Sequence, residues 1–337
     1  MRAFVVTGPR QCSVREVEPP SPLPGQVIVD VERAGVCGTD VEFYTGEMEY
    51  LRQGHASYPM RLGHEWCGSV HAIGEGVDPD WINRRVTGDT MLGCGHCRRC
   101  LDGLRHVCED RYEIGIRGGW PGALAEQLAV PVSALHALPD TVDATLGALV
   151  EPGGNALRAV RAANLAAGER LLVLGPGTIG LLVAQFALAQ GIEVHIMGHT
   201  SSSIDFAREL GVHGAWAAHD LPPLPFDAVI DASNAASLPA QALDLVEPGK
   251  RVVYIGLAGA PSTIDTRTMV LKDVTAVGIL SASPGLAGTI EHYANGSVNP
   301  RPLVAATVAL DEIADLLAAT HPALSSPAPK FHIDPRL

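Results

Sequence analysis

Residues 171–180 read LLVLGPGTIG: a continuous apolar run, then a turn with glycines at 175, 177 and 180, followed over residues 179–189 by the spacing of a helix. Few patterns restrict a chain more. Gly175 suits a tight turn, Gly177 lets a ligand's charged group come close to the backbone, and Gly180 lets the helix lie tightly on the strand. The helix N-terminus then faces the turn with unpaired N–H groups, which is a ready site for a pyrophosphate. A bare G-x-G-x-x-G is weak evidence, but the strand–turn–helix setting makes Gly175, Gly177, Thr178, Ile179 and Gly180 candidate dinucleotide-binding residues.

The rhythm continues on both sides of this turn. An Ala-rich helical stretch covers 155–165, and short strands are expected at 193–197, 228–230 and 252–255, with a helix at 239–246. Strands alternating with helices of about a dozen residues indicate βαβ units and a parallel sheet. The first 150 residues differ. Their apolar runs at 27–31, 66–73 and 128–130 are broken by Gly and Pro, as in an irregular antiparallel β-domain with long loops. From about residue 283 helices are expected at 286–294 and 311–319 and a strand at 330–333, with no internal repeat or low-complexity tract.

A carboxylate about 20 residues after the glycine turn would normally bind the ribose 2′-hydroxyl of NAD. Here the strand ends in GHTSSS, residues 198–203, with no acid. Gly198 leaves room for a 2′-phosphate, and His199, Thr200 and Ser201 can donate hydrogen bonds to it, so NADP is favoured over NAD. The competing reading is a polar turn in which a serine caps the helix that starts near Ile204.

Four of the seven cysteines, Cys94, Cys97, Cys100 and Cys108, stand in a C-x2-C-x2-C-x7-C pattern. Two-residue spacings let neighbouring sulfurs converge on one Zn2+, and four thiolates leave no position for substrate, so this site is expected to be structural. An iron–sulfur cluster is the alternative. His96 and His106, inside the loop, are expected to be solvated. A second, open site is suggested by AGVCGTD (34–40) and LGHEWCGSV (62–70), where Cys37 and His64 each sit beside glycine. A catalytic zinc needs about three protein ligands. Glu65 and Glu151 compete for the third place, and Pro152 biases Glu151 towards an extended conformation.

With 24 basic and 37 acidic residues, a charge of −13, the 337-residue chain has no surplus of cations for nucleic-acid phosphates. Its start lacks the pattern of a secretory leader, and no stretch approaches the roughly 20 apolar residues of a membrane span. A cytoplasmic protein of about two domains is expected, without nucleic-acid or membrane partners.

Taken together, GVCGTD, GHEWCG, GDTMLGCGHCRRC with Cys108, LVEP and LGPGTIG resemble the zinc-dependent medium-chain dehydrogenase/reductase superfamily, the alcohol dehydrogenase group. The resemblance is strongest over residues 35–180. It implies an α/β and β fold: a GroES-like irregular β-barrel catalytic domain from residues 1–151 and 283–337, with a structural zinc lobe at 88–110, and a doubly wound Rossmann cofactor domain at 152–282. Two zinc ions, an active site in the cleft between domains and a homodimer or homotetramer are implied as well. Cys37 and His64 match catalytic zinc ligands, Thr39 the hydroxyl that relays the alcohol proton, and Asp40 the carboxylate that orients the ligand histidine. Glu65 follows the histidine as it does in the family. Glu151 stands where simple alcohol dehydrogenases have cysteine, as in the sorbitol, threonine and glucose dehydrogenase branch. Glu42 replaces a histidine that passes the proton to solvent, and a carboxylate can accept it by the same route.

The expected reaction is reversible hydride transfer between NADP(H) and a primary or secondary alcohol or its carbonyl. The segments 43–61 and 111–120 are rich in polar and aromatic groups, among them Tyr44, Glu47, Glu49, Tyr50, Arg52 and His55. If they line the cleft, a polyol, sugar or similar polar alcohol fits, since donors would otherwise lack partners; they form a solvated rim in the other reading. Two alternatives remain: a reductase or dehydrogenase of hydrophobic or aromatic aldehydes and alcohols, and a non-catalytic NADP-binding protein on the same fold.

Overall fold

The apolar run at 171–174 becomes strand Arg170–Leu174, near the centre of a six-stranded, all-parallel sheet. Its strands lie side by side in the order Gly214–Ala217, Glu193–Gly198, Arg170–Leu174, Phe226–Asp231, Val246–Tyr254 and Thr275–Gly278. Chain order therefore reverses between Arg170–Leu174 and Phe226–Asp231, and crevices at such switch points take ligands at the carboxyl ends of the strands. Residues 171–174 are wholly buried, which is why this strand reads as an unbroken apolar run rather than an alternating one.

The computed structural model describes residues 1–337. They divide into two units: Met1–Glu151 with Val304–Ser326 and Lys330–Leu337, and Pro152–Leu303 with Pro327–Pro329. In the first unit a seven-stranded sheet is centred on Gln26–Val36, which pairs antiparallel with Glu65–Ile73, Gln127–Pro131 and Lys330–Ile333. Two register shifts between Gln26–Val36 and Glu65–Ile73 bend the pair, as bulges do. Phe4, Phe43, Trp66 and Leu128 lie in the core of this unit. Both architectures read from the sequence are thus present, and no helix is long and apolar enough to cross a membrane.

Three boundaries differ from expectation. The return to the first unit comes at Val304 and not near 283. Helix Leu286–Ala294 stays with the second unit, where Tyr293 stacks on Phe186 at 6.1 Å and 17°. The helix expected at 155–165 starts earlier, as Val150–Ala163. Pro152 lies in its first turn, where the missing N–H has no helical acceptor to lose, so Glu151 is helical and not extended. The helix expected at 311–319 is a 3-10 turn, Leu310–Glu312, running into Ile313–Leu317.

Candidate active site and metal centres

In the cysteine loop, the ligand atoms of Cys94, Cys97, Cys100 and Cys108 all lie within 4.8 Å of one another. Cys94 Sγ is 3.9 Å from Cys100 Sγ, and Cys97 Sγ is 3.7 Å from Cys108 Sγ. A tetrahedron with Zn–S bonds of about 2.3 Å has S–S edges of about 3.8 Å, so the spacing fits zinc. The backbone N–H of His96 and that of Cys97 lower the Cys94 thiol to about 6, which favours the thiolate a metal needs. His96 is exposed, but His106 is buried, against expectation. It follows Arg105 in a short 3-10 turn, Arg105–Val107, and its place among polar neighbours does not announce that burial.

Helix Gly38–Thr45 positions the other group. Cys37 is its N-cap, and the Cys37 N–H donates to Asp40 Oδ2 at 2.8 Å while the Asp40 N–H donates back to the Cys37 carbonyl. Asp40 Oδ1 also accepts from the Gly63 N–H at 3.3 Å, so this one buried carboxylate ties the two segments that carry Cys37 and His64. Burial raises its pKa, against the pull of His64. Its oxygen stands 3.9 Å from His64 Nδ1, at ion-pair and not hydrogen-bond range, and Nδ1 has no hydrogen-bond partner. Thr90 Oγ1 donates to the His64 carbonyl at 3.0 Å and fixes the segment from the other side.

Cys37, His64 and Glu65 bring their ligand atoms within 4.8 Å of one another. Sulfur, nitrogen and oxygen donors in one three-residue group suit a zinc ion with a fourth position left open. Glu151 is not part of that group, though it is buried, and its charge helps to raise His64. Burial opposes a charged His64, but Cys37, Asp40 and Glu151 outweigh it and hold the pKa well above the ordinary value. Thr39 and Glu42 sit on the same helix as Asp40, both half-buried; burial and then the charge of Glu47 raise Glu42.

In the second unit the three glycines meet three different demands. Gly175 has φ +100°, a left-handed conformation that favours glycine. A Cβ on Gly177 would meet nothing within 4 Å, whereas one on Gly180 would lie 1.9 Å from the Gly175 carbonyl. The turn is therefore open at its middle and closed at its end, as a pyrophosphate cradle requires, and Thr178 and Ile179 begin the helix above it. At the end of strand Glu193–Gly198, His199 and Ser201 are exposed. The cap of helix Ser201–Glu209 is Thr200 and not a serine: its Oγ1 accepts from the Ser203 N–H at 3.3 Å.

Two families of sequence match the chain: "Alcohol dehydrogenase GroES-like domain" over residues 23–140 and "Zinc-binding dehydrogenase" over 178–294. The L-threonine 3-dehydrogenase of Idiomarina loihiensis is 32% identical, covering 78% of this chain and 79% of its own. The 2-dehydro-3-deoxy-L-galactonate 5-dehydrogenase of Pseudoalteromonas atlantica is 31% identical over 94% of each. The chain belongs to the zinc-dependent medium-chain dehydrogenases of the alcohol dehydrogenase superfamily. A short chain alcohol dehydrogenase from E. coli CFT073, solved with cofactor NADH, is similar in structure, with a TM-score of 0.90 at 25% identity over 99% of both chains. This dehydrogenase is an oxidoreductase of alcohols that works with zinc and a nicotinamide cofactor.

Its two polar segments meet each other. Tyr50 Oη donates to Glu113 Oε1 at 3.2 Å and accepts from Arg111 at 3.2 Å, Arg111 Nε donates to Glu113 at 2.7 Å, and the Arg117 guanidinium stands 5.7 Å over the Tyr50 ring. Glu47, Glu49, Arg52 and His55 are exposed, and Tyr44 is buried. The segments thus supply both an internally paired cluster and a solvated edge. Sequence reasoning missed Lys330, which lies fully buried against Glu65. Its one signal is a lysine opening an apolar strand, KFHI.

Proposed function

We propose that this dehydrogenase oxidises a polar alcohol, a polyol, sugar or related small hydroxy compound, with NADP favoured over NAD. The observation that carries the reading is the three-residue group of Cys37, His64 and Glu65, whose ligand atoms lie within 4.8 Å of one another. Cys37, His64 and one of Glu65 and Glu151 would hold the catalytic zinc, with Glu65 favoured by its closeness to the other two. The four-cysteine loop would hold a second zinc. When bound, the zinc supplies Lewis acidity at the substrate oxygen and the nicotinamide exchanges the hydride.

The chain's own residues do the rest. The Thr39 hydroxyl would take the alcohol proton, and Glu42, three residues on along the same helix, would pass it outward, since its raised pKa lets it hold a proton nearer neutrality. Asp40 holds the backbone on which both metal-binding segments depend. The glycine turn would bind the pyrophosphate, and Gly198, His199, Thr200 and Ser201 would surround a 2′-phosphate. No carboxylate ends that strand to select NAD, although the structurally similar E. coli protein was solved with NADH.

A cytoplasmic homo-oligomer goes with this reading. No cysteine is in a disulfide, and Leu257, Val270 and Leu271, between Val246–Tyr254 and the edge strand Thr275–Gly278, are 75%, 77% and 86% exposed, apolar side chains that a second copy would cover.

Metal analysis and a substrate panel test the proposal together. Two zinc ions per chain are expected, falling to one in Cys37→Ala; a single zinc in the unsubstituted protein that this change leaves in place would overturn the open site. Turnover of polyols or sugars with higher kcat/KM for NADP is expected, whereas turnover of benzyl-type alcohols alone would move the substrate class to aromatic compounds.

A further inference from the structure

Arg61 stands three residues before His64 but takes no part in either metal group. It is half-buried, and it makes no side-chain hydrogen bond and no ion pair. Burial alone lowers its pKa, with no acidic neighbour to offset the cost. Every other arginine of comparable burial here has a partner: Arg33 has Asp334, Arg111 has Glu113 and Arg170 has Glu193. A shielded guanidinium is costly unless something meets its fork of five donors.

Arg61 lines a cavity of about 250 Å3 in the first unit. The remaining wall is mostly apolar: Val5, Val17, Met60, Ile116 and Trp120 contribute to it. The wall is also held in place. Met60 pairs with Val6 through two backbone hydrogen bonds, the Gly122 N–H donates to the Arg61 carbonyl at 2.9 Å, and Trp120 Nε1 is committed to the Ala129 carbonyl at 3.0 Å. An apolar hollow whose lining includes an arginine with no protein partner is complementary to a small molecule that joins an apolar body to a planar anion.

We propose that this cavity is a second ligand site, distinct from the metal group, for a small carboxylate with a compact apolar or aromatic body. The carboxylate pairs with the Arg61 guanidinium and the apolar body lies among Ile116, Met60 and Trp120. Phosphate-bearing ligands fit less well, because one guanidinium in an apolar wall leaves most phosphate oxygens without donors.

Benzoate and its neutral isostere benzamide test this on the full-length, zinc-loaded protein by titration calorimetry. Saturable benzoate binding is expected, with benzamide weaker by about tenfold or more, the range of a lost charge-assisted pair. Arg61→Met should weaken benzoate by a similar factor, and Ala56→Phe, which fills the hollow and keeps the cation, should also weaken it. Cys37→Ser should leave it unchanged. The proposal is overturned by the absence of saturable binding, by equal binding of benzoate and benzamide, by undiminished affinity in a folded Arg61→Met or in Ala56→Phe, or by loss of binding in Cys37→Ser, which would put the carboxylate at the metal group.

Discussion

Lys330 Nζ lies 2.8 and 2.7 Å from the two carboxylate oxygens of Glu65, with both side chains almost wholly buried, across 265 positions of sequence. The same Nζ donates to the Val36 carbonyl at 2.9 Å, next to Cys37. A buried carboxylate in the Cys37, His64 and Glu65 group is thereby paired with a cation of the protein itself, and the C-terminal strand is fastened to the segments that carry that group.

Removing one partner leaves the other charge stranded. Lys330→Met should cost about 3–5 kcal/mol in urea unfolding followed by fluorescence, and Lys330→Met with Glu65→Leu should recover much of it. Burial lowers the Lys330 pKa, but Glu65, Cys37 and Asp40 together outweigh it and the net shift is upward. A raised folded value means that the contribution is complete below the ordinary lysine value of about 10.4 and fades as pH rises through the folded one. The gap between parent and variant should therefore be flat from pH 7 to 9; a gap below about 1 kcal/mol there would contradict the pairing.

His332, two residues along the same strand, is fully buried, and neither ring nitrogen has a hydrogen-bond partner. Burial, with help from Lys330 and Arg33, pushes its pKa down to about 3. Below the ordinary value of about 6.5 the unfolded chain binds a proton that the folded one refuses, so the protein loses stability as pH falls from there towards 3. His332→Leu should be no less stable at pH 7 and should gain on the parent by up to about 1.4 kcal/mol per pH unit below 6.5. Parallel stability curves from pH 7 to 4.5 would show that the imidazole is not held neutral.

In the cysteine loop, Cys94→Ser should remove one zinc equivalent and lower the thermal midpoint, because a metal that closes a loop contributes folding energy. Dinucleotide binding by the remaining fold should persist, which fluorescence quenching on cofactor addition can follow. A variant with unchanged midpoint and no turnover would mean that the two metal sites have been assigned the wrong way round.

At the glycine turn, Gly180→Ala and Gly177→Ala should part company. The first drives a methyl to 1.9 Å from the Gly175 carbonyl and should destabilise the protein by about 1–3 kcal/mol. The second meets no protein atom within 4 Å, so the unfolding midpoint should hold while the cofactor Kd rises. Equal stability losses in both would remove the case for an open cradle at Gly177.

Much of this could be read along the chain because it depends on near neighbours. The strand at 171–174 is buried on both faces, so its apolar run could be read without knowing its partners. The turn at 175–180 and the cysteines from 94 to 108 work through spacings that a short backbone segment sets by itself. The edge strands Gly214–Ala217 and Thr275–Gly278 escaped notice because four residues on a sheet margin carry little periodicity. Glu151 was misplaced because a proline in a first helical turn and a proline ending an element leave the same local mark.

The sequence by itself determined two architectures, a four-cysteine cluster and a glycine-rich strand–turn–helix, since each rests on local spacing and burial periodicity. Tertiary structure alone decided which glutamate lies with Cys37 and His64, that Lys330 neutralises it, that Asp40 ties two loops through their backbones, and that Arg61 has no partner. Those outcomes depend on which distant side chains share one low-dielectric space, where a charge must find a counter-charge or a ligand, and no local pattern specifies that meeting.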